Sequence, residues 1–443
     1  MKKRNKLILL FRLFILLLAF VGAFFLPNAA SSVQAAASYS YITPFECGST
    51  LYFSSKGNDA NDGLSSSTPK LNPQPYLASG GCNVLLKSGD TFNFSSSIKI
   101  ASNTQLSVYG GNKRAKLNFV QDCVSNFEPT GFDSTVYMIK LNNADIDTGW
   151  IRIDGGSINW QKVAAPSGKN NDYYIDASTG MLYIKSSKPL SGKKMKYALD
   201  SNGLQIADGA QNVIIDKMEI TGTGKHGISI TSGNNILVNR CYVHDIGSAY
   251  LNKGNKNKYG NGIQIWATGS HNCFIVNNYV ENCYDSGITA QITAEAFQEN
   301  SDNIVFDGNY VKNCNYCFEF FQYGTAHSIK NMTVMNNIFE GAKDITNGYR
   351  DSTAYTSLMC IWGCDSSESS IDIHSNYGYN TSYSGLAFGK NQRPWCRVHD
   401  NYIACAPSAI INGNDEFFAT NTVNTGAVSK YKSQISRTIS SLK

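Results

Sequence analysis

Through the second half of the chain, apolar and polar positions fall into short alternations, and one of these recurs with little change. Its form is alternating apolar residues, one or two polar residues, an Asn, and then a Tyr or Ile. It reads Ile275-Val276-Asn277-Asn278-Tyr279-Val280, then Val305-Phe306-Asp307-Gly308-Asn309-Tyr310-Val311 and Val334-Met335-Asn336-Asn337-Ile338-Phe339. Further copies are Ile373-His374-Ser375-Asn376-Tyr377 and Val398-His399-Asp400-Asn401-Tyr402-Ile403, with looser ones centred on Met218 and Cys241. The tightest steps are 23 and 25 residues. A second short alternation follows each copy, usually opened by Gly: Gly227 to Ile230, Gly262 to Trp266, Gly287 to Gln291, Cys317 to Phe321, Leu358 to Trp362 and Gly385 to Phe388. Period-two alternation over four or five residues predicts strands, and no helical period lies between them.

Such a unit cannot bury its apolar face alone. Stacked coils about 4.8 Å apart bury a continuous core and pair the backbone of every coil except the end ones. The recurring Asn is expected at a tight inward turn, where it tolerates left-handed backbone and hydrogen-bonds the next coil as a ladder. The fold class is therefore all-β, a solenoid of stacked coils. Over residues 48–414 the pattern resembles the pectate-lyase-like family of right-handed parallel β-helix proteins, mostly extracellular polysaccharide lyases, hydrolases and epimerases. The entry segment Leu51 to Gly63, with Ser67-Thr68-Pro69 after it, and Leu85 to Phe92 share the resemblance. Residues 121–200 fit the repeat badly. Their alternations at 172–176, 180–184 and 195–198 predict a small antiparallel insertion on the side of the helix. After Asn414 the repeat stops, and 415–443 reads as a polar, weakly helical tail.

Composition changes the picture at the N-terminus. Lys2, Lys3, Arg4 and Lys6 precede an apolar run from Leu7 to Leu26, and Ser32-Val33-Gln34-Ala35 offers small residues for a signal peptidase. Residues 1–35 are thus expected to be a cleaved export signal, with the helix domain spanning 36–414 and the protein secreted. The chain carries 38 basic and 33 acidic residues, and the signal holds five of the basic ones, leaving 33 of each. A nucleic-acid partner then loses its compositional support. Stable membrane insertion after cleavage is not expected either, and a monomer is. The twelve cysteines permit disulfides in an exported protein. Cys47 and Cys82 are the better candidates, while Cys283 and Cys314 occupy one corner of consecutive copies as a disulfide or as stacked buried thiols. Neither a P-loop nor a dinucleotide fingerprint occurs, so no cofactor is expected. The cluster Asn58, Asp59, Asn61, Asp62, Gly63 could cradle calcium, although its spacing fits no EF-hand and suits a solvated turn better. No metal ligand is assigned.

Strand alternation separates lining from exterior. Along the Gly-led strands the outward positions are Ser229 and Thr231, Gln264 and Trp266, Thr289 and Gln291, Glu319 and Phe321, Cys360 and Trp362. That stripe of amides, hydroxyls, one carboxylate and large aromatics suits a sugar chain, whose ring faces are apolar and whose rims are hydroxylated. Gln264, Trp266, Gln291, Phe321, Trp362 and the loop residue Arg350 are the candidate substrate-binding residues. Trp266 and Trp362 could equally pack under loops. A parallel column, His244, Glu281, Lys312 and Glu340, reads most simply as cross-strand charge pairing. Turn residues Lys225, His226, Asp245, Tyr284 and Asp285 stand at the rim, overhung by insertions at 248–261 and 342–357. The candidate catalytic residues are His244, Asp245, Tyr284, Asp285 and Glu319, expected to meet in one groove roofed by the 248–261 loop.

The partner these features imply is a polysaccharide. β-Elimination from a uronate-containing glycan is the expected reaction, needing a base for the C5 proton and a cation for the carboxylate. A hydrolase would use two carboxyl groups from Asp245, Asp285 and Glu319. The resemblance also implies, for polygalacturonase-like members, paired Asp-Asp and Gly-His-Gly motifs, of which only Lys225-His226-Gly227 is present. A C5-epimerase would use lyase-like residues, and a non-catalytic glycan- or wall-binding protein would show no turnover.

Overall fold

A computed structural model describes residues 41–142, 147–156, 161–163, 168–176, 178–251, 258–295, 298–343, 356–390 and 393–443. The expected export signal lies outside them. Ile42–Lys443 forms one compact unit.

Three parallel sheets of eleven, ten and nine strands run the length of this unit. One coil shows how the chain builds them. Gln211–Asp216 lies in the first sheet, Met218–Thr221 in the second and Ile228–Thr231 in the third, and Asn234–Asn239 then returns beside Gln211–Asp216. Inward positions stack in register: Val213 beside Ile236 and Cys273, Ile220 beside Val243 and Val280, Ile228 beside Ile263 and Ile288. All are fully buried in one continuous core. A wound parallel sheet is the solution the repeat predicted, and in the repeat region the described connections between strands carry no α-helix; the short helix Gln74–Ser79 crosses only between the first two strands of the first sheet.

The Asn corner forms a ladder. Asn278, Asn309, Asn337, Asn376 and Asn401 are buried, and each amide oxygen accepts from the main-chain N–H of the preceding coil's ladder position, Asn278 from Cys241, at 2.9–3.0 Å. Each Nδ2 donates to the next Asn in line at 2.9–3.0 Å. One detail differs from expectation: the ladder residues are not left-handed. The residue just before each takes that conformation, as at Asn277 (φ 56°), Asn336 (φ 55°) and Asp400 (φ 52°). The predecessor makes the bend, which frees the ladder amide to point inward. The ladder also continues past the last motif, through Asn421, and Thr422–Val423 adds a strand to the second sheet.

The C-terminal segment is structural. Lys432–Leu442 is a helix whose Ile435, Ile439 and Leu442 pack on an outward tyrosine column of the second sheet. Tyr242, Tyr279 and Tyr310 stack with centroids 4.6 and 5.0 Å apart, the spacing of the strands that carry them.

Between Val120 and Leu199 the described chain leaves the three parallel sheets for two others. Val120–Asp122, Thr148–Ile153 and Met195–Leu199 form one antiparallel sheet, and a second, mostly antiparallel five-stranded sheet carries Val136–Lys140, Asp172–Asp176 and Met181–Lys185. Together they close a separate small core around Tyr173, Leu182, Ile184 and Tyr197.

None of the twelve cysteines, all of them among the described residues, is in a disulfide. Cys47 turns its thiol to the Asn103 carbonyl and Cys82 to that of Tyr76, so the expected pairing is not formed. Cys283 and Cys314 are buried in the core. In the entry turn, Asp59 accepts from the Leu71 and Asn72 N–H groups, and Asp62 from Leu64 N–H and the Thr68 hydroxyl. Those carboxylates cap their own loop.

Candidate functional site

The outward face of the third sheet carries two columns in the expected register. Ser229, Gln264, Thr289, Glu319 and Cys360 form one; Thr231, Trp266, Gln291, Phe321 and Trp362 form the other. Gln264, Thr289, Glu319 and Cys360 are buried, while Trp266, Gln291, Phe321 and Trp362 are half-buried. The second column is thus an aromatic and amide strip over four successive coils. Trp362 leans on the next coil, where a Cβ at Gly389 would lie 2.2 Å from its ring.

Glu319 sits at the centre of a polar cluster. Its Oε2 accepts from the Ser286 hydroxyl at 2.6 Å, from Gln291 Nε2 at 2.8 Å and from the Thr289 hydroxyl at 3.4 Å. Gln264 Nε2 in turn donates to Gln291 Oε1 at 3.4 Å, and the buried Gln264 Oε1 has no partner among the described residues. A carboxylate so held keeps one orientation, and at 5% exposure its charge is costly unless those donors stay.

A second ladder, which the sequence reading missed, leads into this cluster. Asn202 Oδ1 accepts from His226 N–H at 3.1 Å, His226 Nδ1 from Asn261 N–H at 3.3 Å, and Asn261 Oδ1 from Ser286 N–H at 3.0 Å. The signal was present: His226, Asn261 and Ser286 each precede the Gly that opens a third-sheet strand. Those glycines are required by close approach, since a Cβ at Gly262 would fall 2.5 Å from the Gly287 carbonyl. Burial and then the neighbouring Lys225 push the His226 imidazole down to about 3. It is neutral, with its proton assigned to Nε2 because Nδ1 accepts.

The expected single groove is divided. His244 and Asp245 stand on the second sheet, in a charge network with the insertion. His244 stacks on Tyr242 at 4.2 Å, and its Nε2 and Nδ1 face Glu219 Oε1 at 3.3 Å and Asp245 Oδ2 at 3.1 Å. Burial alone would lower its pKa, but the Asp245 and Glu219 carboxylates outweigh burial and raise it. The bond to His244, helped by Lys116 at 2.8 Å, holds Glu219 down at about 2 against burial. Arg152 of the insertion reaches Asp245 at 3.5 Å, and Trp150 Nε1 donates to the Asp245 carbonyl at 2.7 Å. Both ring nitrogens of His244 face carboxylates, which favours its protonated form, and Asp245 links this network to the insertion.

Tyr284 is buried and wedged against Gly247 and Gly260, with Lys258 Nζ 5.5 Å from its ring centroid. Asp285 is half-buried at the entrance to the third sheet, immediately before Ser286. Of the expected catalytic set, Glu319 stands on the third sheet, Asp285 at the entrance to one of its strands, and Tyr284 beneath the turn at Gly247 and Gly260. Arg350 lies outside the described residues, as does the middle of the roofing loop. The described start of that loop is tied to the insertion by a second unforeseen group. Fully buried Lys162 donates to Asp147 Oδ2 at 2.5 Å and to the Thr148 and Ser248 carbonyls, under the Tyr250 ring. Burial lowers its pKa against the pull of Asp147.

Residues 194–358 match the family model described as the right handed beta helix region. The chain carries a right-handed parallel β-helix. No curated protein sequence matches it. Among solved structures, a protein described as a glycoside hydrolase shares 10% identity over 85% of this chain and 96% of its own, with a TM-score of 0.38. An alginate lyase from Paenibacillus sp. shares 11% over 85% and 98%, TM-score 0.36. PfbA, a surface adhesin of Streptococcus pneumoniae, shares 14% over 77% and 84%, TM-score 0.36. At these identities the likeness concerns the fold, and the site must speak for itself.

Proposed function

We propose that this is a secreted, carbohydrate-active β-helix protein that binds a polysaccharide along its third sheet and cleaves a uronate-containing chain by β-elimination. The observation that carries the reading is the half-buried strip Trp266, Gln291, Phe321, Trp362 running beside the hydrogen-bonded Glu319 carboxylate. Aromatic faces at strand spacing accept successive apolar sugar faces, and the amides between them meet ring hydroxyls. Glu319 is the group that moves a proton, oriented by Ser286 and Gln291. The uronate carboxylate needs a cation, for which Lys225 at the strand entrance and Arg350 are the candidates.

Hydrolysis is a second reading, favoured by one observation: Asp285 directly precedes the Ser286 that holds Glu319, so two carboxyl-bearing residues adjoin one serine. The test is a panel of uronate and neutral polysaccharides, scored together for unsaturated products and reducing ends. Unsaturated ends from a uronate polymer support elimination. Reducing ends without unsaturation establish hydrolysis instead. A panel that is neither bound nor cleaved overturns the assignment.

A further inference from the structure

At the N-terminal end of the second sheet, away from the aromatic strip, cations gather around a hollow of about 710 Å³. Arg114, Lys217 and Arg240 occupy one corner position of three successive coils, each just before residues paired across the sheet: Ala115 with Met218, Glu219 with Tyr242. Like charges stacked at strand spacing, about 4.8 Å, repel one another and cost stability. In later coils the same corner holds Asn277, Gly308, Asn336, Ser375 and Asp400, so the cations belong to this end alone.

Their compensation is incomplete. Arg240 pairs with Asp216 at 2.5 Å, and Lys116 with Glu219 at 2.8 Å. Arg114 donates to main-chain oxygens, those of Arg240, Leu442 and the last residue, Lys443, and to no side-chain carboxylate among the described residues. Lys217 Nζ donates to Asn112 Oδ1 at 3.2 Å, and exposed Lys113 has no described ion pair. Lys443 Nζ lies over the Tyr279 and Tyr310 rings at 5.8 Å. Four of the six cations thus have no side-chain carboxylate partner among the described residues, although Glu219, paired with Lys116, also lines the hollow.

We propose that this hollow is a second binding site, one that takes the oxyanion groups of a polyanionic chain and anchors it at the end of the helix. Carboxylates of a uronate polymer and phosphates of a phosphate polymer share the chemistry that Arg114, Lys113 and Lys217 recognise. The site needs no turnover and does not depend on the third sheet's reaction.

The experiment is calorimetric titration of the Trp266→Ala protein, whose aromatic strip is disabled, with polygalacturonate in one arm and inorganic polyphosphate in the other. Binding in either arm is expected to weaken on the order of a hundredfold for a fourfold rise in salt, as for about four neutralised charges. Adding Lys113→Glu and Lys217→Asn should weaken it at least about tenfold. Asn suits the left-handed backbone at 217 (φ 58°), and an unchanged melting curve shows that the fold is intact. Binding in one arm alone identifies the polymer; binding in both shows recognition by charge. No binding in either arm, or undiminished binding by the charge variants, overturns the proposal. Loss of cleavage in Trp266→Ala bears only on the third sheet, so the two sites fail separately.

Discussion

Asn309 shows how one side chain serves three coils. Its oxygen accepts from Asn278, while its Nδ2 donates to the Ile275 carbonyl and to Asn337, all out of contact with water. Asn309→Ala leaves at least one of those groups unsatisfied and should cost about 1–3 kcal/mol in urea unfolding. An unchanged midpoint would remove the ladder from the stability account. His244 makes a different prediction. Its folded pKa is raised above 6.5, so its contribution is complete below that value and is lost as pH rises through the folded pKa. Glu219, lowered from 4.5 to about 2, contributes above 4.5 and loses that contribution as pH falls towards 2. Stability from the pair should be greatest between about pH 4.5 and 6.5. His244→Gln should flatten the alkaline side of the melting-temperature profile, and an identical profile would contradict the network. The ladder was legible because the same Asn recurs. The network was not, because Arg152 and Trp150 come from an insertion whose docking no local pattern encodes.

At the scale of elements, the C-terminal helix explains why Tyr follows Asn in the repeat. Tyr242, Tyr279 and Tyr310 face outward, and an outward aromatic column needs a cover. Ile435, Ile439 and Leu442 supply it. Those three positions share one helix face and could have been read from the sequence, but the surrounding Ser, Gln and Lys residues hide them. Ile435→Ala should cost about 2–5 kcal/mol if the helix stays docked. Ile435→Asp should release it, exposing the segment after Val428 to proteolysis; full resistance in the Asp variant would show that the helix is held by something else. The third-sheet register was legible from alternation, helped by Gly227, Gly262 and Gly287 at three successive strand entrances. The ladder entering it was not, because His226, Asn261 and Ser286 differ in type and share only a hydrogen-bonding role.

At the scale of the molecule, stacking in register turns short sequence motifs into continuous columns on three faces. The first two faces are occupied by the ladder, the tyrosines and the charge pairs, which keep the stack in register. The third holds amides, aromatics and a carboxylate that this structural work does not require; the outward stripe read from alternation lies there in register, whereas His244 and Asp245 stand on the neighbouring sheet. Strand alternation fixes which residues face outward within a sheet. It carries no information on how two sheets meet at a corner with a long insertion between them. The central claim, that the third sheet holds the glycan, is tested most directly by a crystal structure of the Glu319→Gln protein with a uronate oligosaccharide. The account predicts sugar rings on Trp266 and Phe321, with a glycosidic bond beside residue 319. Rings bound on another face, with this strip left bare, would contradict it.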